Sequence, residues 1–268
     1  MTHDYGSRSM PSRISASIKA SPGAEDIFVP MGITSENVAS DFSISREDQD
    51  KFAAESHVKA LRAQEQGLFD AEIVPVKVQQ KQTIKDENGQ EKQLVKDVMI
   101  SKDEGPRTGS TIDKLAKLKP VFKKDGSTTA GNASQISDGA AAVVLMRRSK
   151  AQELGCTILA RWCGARVVGC PPRIMGVGPA YAIPAVLKDV GLNTDDVDIY
   201  EINEAFASQA LYCVRTLGIN PAKVNPKGGA IALGHVSLFL CIISPGNDNA
   251  HWIDNMNSDT CVGRLTNL

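Results

Sequence analysis

The 268-residue sequence has almost no excess of either charge and no long run of apolar side chains. Lys and Arg number 30 and Asp and Glu number 31, so the formal net charge is −1 and no chain-wide field attracts nucleic acid or an anionic membrane. The stretch from Val236 to Ile243, interrupted by Ser237, is far shorter than the roughly 20 residues of a membrane span. The sequence therefore predicts a soluble protein with no membrane span and no nucleic-acid partner.

The sequence also lacks a Cys-x-x-Cys pair and any hydrophobic N-terminal segment. These absences argue against a disulfide-stapled secreted domain and against a secretory signal, and they favour a reducing compartment. His235 and His251 have no partner at metal-ligand spacing, so no metal site is predicted. The cysteines are scattered over positions 156, 163, 170, 213, 241 and 261.

The first part of the chain contains one well-marked helix. Residues 1–44 are rich in Ser, Pro and Gly and indicate loops with short elements. Ser45 is typical of a helix N-cap, with an acidic residue, Asp48, three positions later. The helix-forming run that follows should end near Gly67.

The remaining patterns predict a layered α/β fold. Alternating segments at 72–78 and 93–100 flank a turn signal at 85–89, which indicates a hairpin with an exposed charged tip. Strands and helices then alternate, as in layered α/β domains. The predicted elements are a short helix at 149–155, a strand at 158–168, a helix at 179–190, a strand at 197–202 and a helix at 204–217.

The segment from 225 to 235 is the most informative for chemistry. Two adjacent glycines, Gly228 and Gly229, permit a close backbone approach or a positive φ. A third glycine, Gly234, precedes His235, whose ordinary pKa near 6.5 suits a general base. The alternative is a turn with an incidental surface histidine, and the residues alone favour neither.

Two further segments carry candidate ligand groups. Asn203 and Glu204 stand where a predicted strand meets a predicted helix, a common position for ligand groups in α/β sheets. The alternative is that Asn203 is a helix N-cap with Glu204 in the first turn. The segment 128–142 is dense in small side chains, which suits either a narrow ligand chain or tight helix-on-sheet packing.

Together these segments resemble the thiolases, which exchange acyl groups between 3-ketoacyl-CoA and CoA. The resemblance covers roughly residues 1–235. It is strongest to the peroxisomal 3-ketoacyl-CoA thiolases and second strongest to the acetoacetyl-CoA thiolases. The sequences that carry it are MGITSENVA at 31–39, SREDQDKFAAESHVKA at 45–60, EIVPV at 72–76, LAKLKPVFKKDGSTTAGNASQISDGAAAVVL at 115–145, MGVGPAYAIP at 175–184 and NEAFASQA at 203–210, followed by the Gly-His pair at 234–235.

The resemblance implies a layered α-β-α-β-α fold with an incomplete first half and a lid-like loop domain. Residues 1–150 would be the C-terminal portion of the thiolase N-terminal domain, with the lid at about 26–125 and a closing helix and strand at 126–150. Residues 157–235 would be a truncated C-terminal domain, and 236–268 a tail foreign to the family. For the N-terminal end, we expect that Met1 is an internal methionine of the longer protein that was taken as the start. For the C-terminal end, we expect that the sequence from Val236 onward comes from read-through into an intron.

The resemblance also implies residue roles. His235 would be the base that deprotonates the thiols, and Asn203 would help to build an oxyanion hole. CoA is a substrate, and no cofactor is expected. Core filling is the alternative for the two methionines among the predicted CoA contacts. Those contacts are Arg107 at the nucleotide end, Ala130 and Ser134 along the pantetheine channel, Leu118 beside it, and Met31 and Met175 near the acyl thioester.

Neither of the family's two catalytic cysteines has a counterpart in this sequence. The expected function is thiolytic cleavage of 3-ketoacyl-CoA to acetyl-CoA and a shortened acyl-CoA in peroxisomal fatty-acid β-oxidation, by a homodimer when complete. The chain as written is expected to be inactive. The alternatives are a non-catalytic fragment that binds CoA or pairs with an intact subunit, and an acetoacetyl-CoA thiolase.

Overall fold

The computed structural model describes residues 14–85, 90–141 and 143–236. The α-helices are α1 (Ala16–Ala20), α2 (Met31–Asp41), α3 (Arg46–Glu65), α4 (Ile112–Leu115), α5 (Arg148–Glu153), α6 (Gly178–Val190), α7 (Ala207–Thr216) and α8 (Ala230–Leu233). The strands are β1 (Val76–Lys85), β2 (Glu91–Ile100), β3 (Ile136–Ser137) and β4 (His235–Val236). Short 3₁₀ helices span Ala24–Phe28, Pro172–Val177, Thr194–Asp196 and Pro221–Lys223. Within these described ranges, no helix combines the length and the apolarity of a membrane span.

The longest helix, α3, confirms the predicted N-cap. The Ser45 hydroxyl accepts a hydrogen bond from the backbone N–H of Asp48 at 3.1 Å. The Asp48 carboxylate pairs with Arg215 of α7 at 3.0 Å. The bond from Arg215, with that from Ser45, lowers the pKa of the Asp48 carboxyl. The cap therefore also ties α3 to α7.

The predicted hairpin is confirmed as the antiparallel pair β1–β2. Its register runs from Val76 opposite Ile100 to Lys85 opposite Glu91. The strand β1 begins four residues later than the alternating pattern, directly after Pro75, which has no N–H to donate to a ladder. The predicted turn lies largely outside the described residues.

The predicted helices of the second half are confirmed with small shifts. The helix α6 ends at Gly191, whose φ of 70° is the left-handed value that favours glycine. The helix α7 begins at Ala207, three residues later than predicted, because Phe206 is extended and bridges Ala133. A buried cluster joins these helices to the chain between them, and its members are Ile183, Leu187, Val197, Tyr200, Ile202, Val214, Ile219 and Val224.

The prediction of loops over residues 1–44 is wrong for α2, which is an eleven-residue helix. Its buried face combines the polar Ser35 and Glu36 with the apolar Val38. The Glu36 carboxylate accepts hydrogen bonds from the backbone N–H groups of Ser127 and Thr128, and Ser35 lies 2.7 Å from the Thr128 hydroxyl. Tertiary hydrogen bonds, which leave no apolar period in the sequence, and the packing of Val38 on Ile174 and Val177 therefore hold this helix.

Two predicted strands are wrong in the described structure. Residues 158–168 form no strand, and residues 197–202 contribute only the single parallel bridge of Tyr200 with Val224. A strand exists through hydrogen bonds to a neighbour, and no described segment pairs with 158–168. Among the described residues of the expected closing segment, 126–141 and 143–150, the only strand is β3, and the helix α5 begins at Arg148.

Candidate active site

The structure brings His235 and Asn203 together. Their Nε2 and Nδ2 atoms lie 3.3 Å apart, although 32 positions separate the residues in the sequence. His235 opens β4, and its backbone N–H donates to the Gln135 carbonyl at 2.6 Å. The Asn203 carbonyl accepts from the Gln209 side chain at 2.7 Å, which anchors Asn203 to α7. Both side chains therefore stand on backbone that is fixed from a second element.

The pair has the chemistry of a base and a hydrogen-bond donor. When the Asn203 amide donates to His235, the Nε2 atom carries a lone pair, as a general base requires. The Asn203 Oδ1 atom is buried and has no hydrogen-bond partner within the described part of the chain. Phe206, not Asn203, is the N-cap of α7, so the N-cap alternative for Asn203 is wrong.

The two adjacent glycines serve both of the purposes that the sequence allowed. Gly228 has a φ of 83°, and a Cβ there would lie 2.7 Å from both the Ala60 Cβ and the Ser56 carbonyl of α3. At Gly229, a Cβ would lie 2.5 Å from a carboxylate oxygen of Glu204. The glycines therefore let the segment before His235 pass directly over α3 and Glu204.

Glu204 is fully buried and is the centre of a hydrogen-bond network below α8. Its carboxylate accepts from the Ser56 hydroxyl at 2.6 Å, the Asn225 amide at 2.8 Å and the Ile231 N–H at 3.2 Å. Burial raises the pKa of the Glu204 carboxyl, and the bonds from Ser56 and Asn225 oppose that rise. The sequence singled out Glu204 as a possible ligand group; in the structure its carboxylate instead positions α8.

The described part of the small-residue segment, 128–141, consists of turns and extended chain with the short strand β3, and it contains no helix. Its buried Asn132 accepts a hydrogen bond from the backbone of Thr129 and donates to Asp50 of α3. The backbone N–H of Ser134 donates to the carbonyl of Ala205 at 3.0 Å, two residues after Asn203. Ser134 is half-buried here, and Ala130 is exposed. The helix-on-sheet alternative for this segment is therefore wrong.

The structure places Leu118 next to the loop that carries Ala130. A Cβ on Gly131 would lie 2.6 Å from Leu118 Cδ1, so the glycine allows their close approach. The Arg46 guanidinium donates to the carbonyls of Leu115 and Leu118 and pairs with Asp50. The loop and the Leu118 turn therefore share one anchor on α3.

Arg107 is exposed, and it is held by Gln135 and His57, which were not among the predicted site residues. Its guanidinium donates to the Gln135 Oε1 atom at 3.1 Å, and its backbone N–H donates to His57 Nδ1 at 3.2 Å. Burial, followed by the charge of Arg107, lowers the pKa of the His57 imidazole. His57 and Gln135 carry no local signature, because their roles arise from segments distant in the sequence.

The two methionines lie on elements that pack together. Met31 opens α2, and Met175 belongs to the 3₁₀ helix Pro172–Val177, against which α2 packs. Met31 is 63% exposed, so core filling does not account for it, whereas Met175 is half-buried.

The four described cysteines include one deeply buried thiol. Cys213 is 0% exposed, and burial raises its pKa to about 12, so the thiol stays protonated at neutral pH. Cys156 and Cys163 are exposed. Cys241, Cys261 and His251 lie outside the described residues. Over the described ranges, no group of three or more His, Cys, Asp or Glu side chains is arranged to hold a metal.

Comparison with known families and proteins gives one consistent answer. The family model described as "Thiolase, N-terminal domain" matches residues 6–149, and "Thiolase, C-terminal domain" matches residues 156–237. The chain is 57% identical to human "3-ketoacyl-CoA thiolase, peroxisomal" over 228 residues, 85% of this chain and 52% of the relative. It is 53% identical to the protein of that name from Yarrowia lipolytica, over 88% of this chain and 55% of the relative. The chain thus spans about half the length of the curated relatives it matches.

Solved structures agree with these relatives. The dimeric peroxisomal thiolase of Saccharomyces cerevisiae matches with a TM-score of 0.74 and 52% identity, over 84% of this chain and 53% of that one. The acetyl-CoA acetyltransferase of Bacillus anthracis matches with a TM-score of 0.71 and 46% identity, over 77% of this chain and 49% of that one. These likenesses confirm the predicted α/β, thiolase-like fold class.

Proposed function

The chain belongs to the thiolase family, and on that premise we propose that it carries the base and oxyanion side of a 3-ketoacyl-CoA thiolase site. The reaction is the thiolytic cleavage of 3-ketoacyl-CoA by CoA, which yields acetyl-CoA and a shortened acyl-CoA. Relatives named as peroxisomal 3-ketoacyl-CoA thiolases support a place in peroxisomal β-oxidation. The similar yeast peroxisomal thiolase is dimeric, which supports a homodimer.

The observation that carries this proposal is the 3.3 Å separation of Asn203 Nδ2 and His235 Nε2. In the proposed cycle, His235 accepts the proton of a thiol, and the thiolate attacks the 3-keto carbon. The bond between the substrate's second and third carbons then breaks, which leaves an acyl thioester and an acetyl-CoA carbanion. The proton held by His235 is passed on to neutralise this carbanion, so that His235 is again unprotonated. His235 then accepts the proton of the CoA thiol, the CoA thiolate attacks the acyl thioester and releases the shortened acyl-CoA, and the proton returns to the first thiolate.

Asn203 suits a role beside this base. An amide nitrogen has two hydrogens, so a donor directed at His235 has a second N–H for a thioester oxygen or an ordered water. We do not assign the role of the nucleophilic thiol to Cys213, because a thiol with a pKa of about 12 forms almost no thiolate at neutral pH.

The proposed CoA path follows the loops above α3. The small segment with Ala130 and Ser134, beside Leu118, would line the pantetheine arm. Arg107 would meet the nucleotide end, where an exposed guanidinium suits stacking and phosphate contact. Met31 and Met175, on two elements that pack together, would contact the acyl end.

A chimeric enzyme tests the proposal. Residues 14–235 of this chain replace the corresponding residues of the yeast peroxisomal thiolase, and acetyl-CoA release from a 3-ketoacyl-CoA is followed by mass spectrometry. We expect turnover that falls by about 10³-fold in His235→Ala and about 10²-fold in Asn203→Ala. Asn220→Ala, at the cap of an exposed 3₁₀ turn, is the matched control and should stay within about twofold.

The same experiment separates the alternatives. A chimera that cleaves 3-ketoacyl-CoA equally well with and without His235 contradicts the assignment. The 268-residue chain is assayed in parallel for thiolysis and for CoA binding by calorimetry. If the 268-residue chain binds CoA but the chimera shows no turnover, a non-catalytic role is favoured. If the chimera cleaves acetoacetyl-CoA but no longer 3-ketoacyl-CoA, the short-chain type is favoured.

A further inference from the structure

The side chain of Gln135 connects the end of α8 to the segment that carries Arg107. Its Nε2 atom lies 2.9 Å from the Gly105 carbonyl and 3.1 Å from the carbonyls of both Ile231 and Ala232. An amide has two hydrogens, so the two α8 carbonyls share one of them. Carbonyls in the last turn of a helix have no partner within the helix, and Gln135 supplies one.

The other polar atoms of Gln135 face the two proposed functional residues. Its Oε1 atom accepts from the Arg107 guanidinium at 3.1 Å. Its backbone carbonyl accepts from the His235 N–H at 2.6 Å, where β3 and β4 pair. One residue therefore holds the proposed nucleotide contact by its side chain and the proposed base by its backbone.

The two segments that Gln135 connects are also in direct contact. A Cβ on Gly105 would clash with the Ala232 carbonyl and would lie 3.2 Å from the Leu233 carbonyl. A Cβ on Gly234 would lie 2.6 Å from the Cβ of Ser137, two residues after Gln135. Because the backbones already touch, a shift in one segment displaces the other, and the Gln135 side chain fixes their separation.

We propose that Gln135 is a positioning residue that couples the Arg107 segment to the base His235. The inference deepens the proposed function and rests on it for the identity of the ligand. Without the Gln135 amide, the segment 105–107 and the last turn of α8 lose a shared donor, so both loosen together. Through this connection, occupation of the nucleotide end changes the surroundings of His235, and the effect is reciprocal.

Hydrogen exchange of the full chain, without ligand, tests the physical connection. Gln135→Leu removes the amide at similar size, and Gln135→Asn keeps an amide that is one methylene too short. We expect about tenfold faster exchange in peptides covering both 105–107 and 231–235, with α7 unchanged as the internal reference for a folded chain.

Gln64→Leu is the matched control. The Gln64 side chain donates to the Asp103 carbonyl at 2.8 Å, two residues before Gly105, so its loss removes a neighbouring tie to α3 and leaves the Gln135 bonds in place. In this variant the exchange of 231–235 should not change. Faster exchange of only one of the two segments in both Gln135 variants, or of neither, overturns the proposal. If Gln135→Leu fails to fold, Gln135→Asn alone decides.

A second measurement detects the coupling itself. The imidazole signals of His235 are recorded by NMR as the nucleotide fragment of CoA, without the pantetheine arm, is added, because whole CoA would contact His235 directly. We expect the fragment to shift these signals in the wild type and in Gln64→Leu, and to leave them unshifted in Gln135→Leu at saturation. An equal shift in Gln135→Leu overturns the coupling. If the fragment does not bind the wild type, the assignment of Arg107 to the nucleotide end fails, and the positioning role is judged by hydrogen exchange.

Discussion

Gly229→Ala tests the packing that sets the position of the candidate base. Gly229 has an extended backbone, with φ −134° and ψ −161°, so alanine is conformationally acceptable there and only steric contact matters. The new Cβ would lie 2.5 and 2.6 Å from the carboxylate oxygens of Glu204, about 1 Å closer than the 3.4 Å at which ordinary contact begins. Glu204 has no free direction of retreat, because Ser56, Asn225 and Ile231 all donate to it.

The magnitude follows from these contacts. Overpacking a rigid site by one methyl group costs about 1–3 kcal/mol. A carboxylate displaced by about 1 Å also gives up at least one charge-assisted hydrogen bond, which is worth about 1.5–3 kcal/mol. We therefore expect Gly229→Ala to lower the free energy of unfolding by about 3 kcal/mol. The N-terminus of α8 should shift with it.

Urea denaturation followed by circular dichroism measures this loss. Gly169→Ala is the matched control, because no atom lies within 4 Å of its Cβ position, and it should be neutral or stabilising by up to about 1 kcal/mol. Shortening Glu204 to Asp makes room, so Gly229→Ala combined with Glu204→Asp should cost less than the sum of the single changes. A Gly229→Ala variant within about 1 kcal/mol of Gly169→Ala would refute the steric reasoning.

Three further outcomes are expected. Because the folded-state pKa of His57 lies below its ordinary value, stability should be complete above about pH 6.5 and fall as the pH drops toward the folded pKa. His57→Asn, which keeps an acceptor for Arg107, should reduce this loss of stability at low pH, measured as the free energy of unfolding at a series of pH values. An unchanged dependence on pH would count against the role of His57. Cys213 should react with iodoacetamide at least about 100-fold more slowly than exposed Cys163, and equal rates would contradict its burial. Ile183→Ala should cost about 3 kcal/mol on urea denaturation, and a loss below about 1 kcal/mol would be inconsistent with its place in the core.

Local features of the structure followed from the sequence where their causes are local. The N-cap at Ser45 depends on one hydroxyl and an N–H three residues away, and the end of α6 depends on one glycine in the left-handed region. The hairpin β1–β2 needs only its own two alternating segments. Each of these signals fits within a few residues of sequence, so each could be predicted.

Features that depend on distant partners were missed or predicted incorrectly. The helix α2 is held by hydrogen bonds to the backbone of Ser127 and Thr128, about 90 residues away, and by the apolar contacts of Val38 with a still more distant segment. The segment 158–168 has the composition of a strand, but a strand needs a paired neighbour, and the described structure provides none.

The sequence by itself determined the family, the residue types and the order of the local elements. It identified His235 and Asn203 as candidates but did not determine their separation. Only the tertiary structure decided that these side chains meet at 3.3 Å, that Glu204 lies beneath the glycine segment, and that Gln135 joins Arg107 to α8. Side-chain chemistry is a property of single residues, whereas distance and burial arise only when segments far apart in the chain pack together.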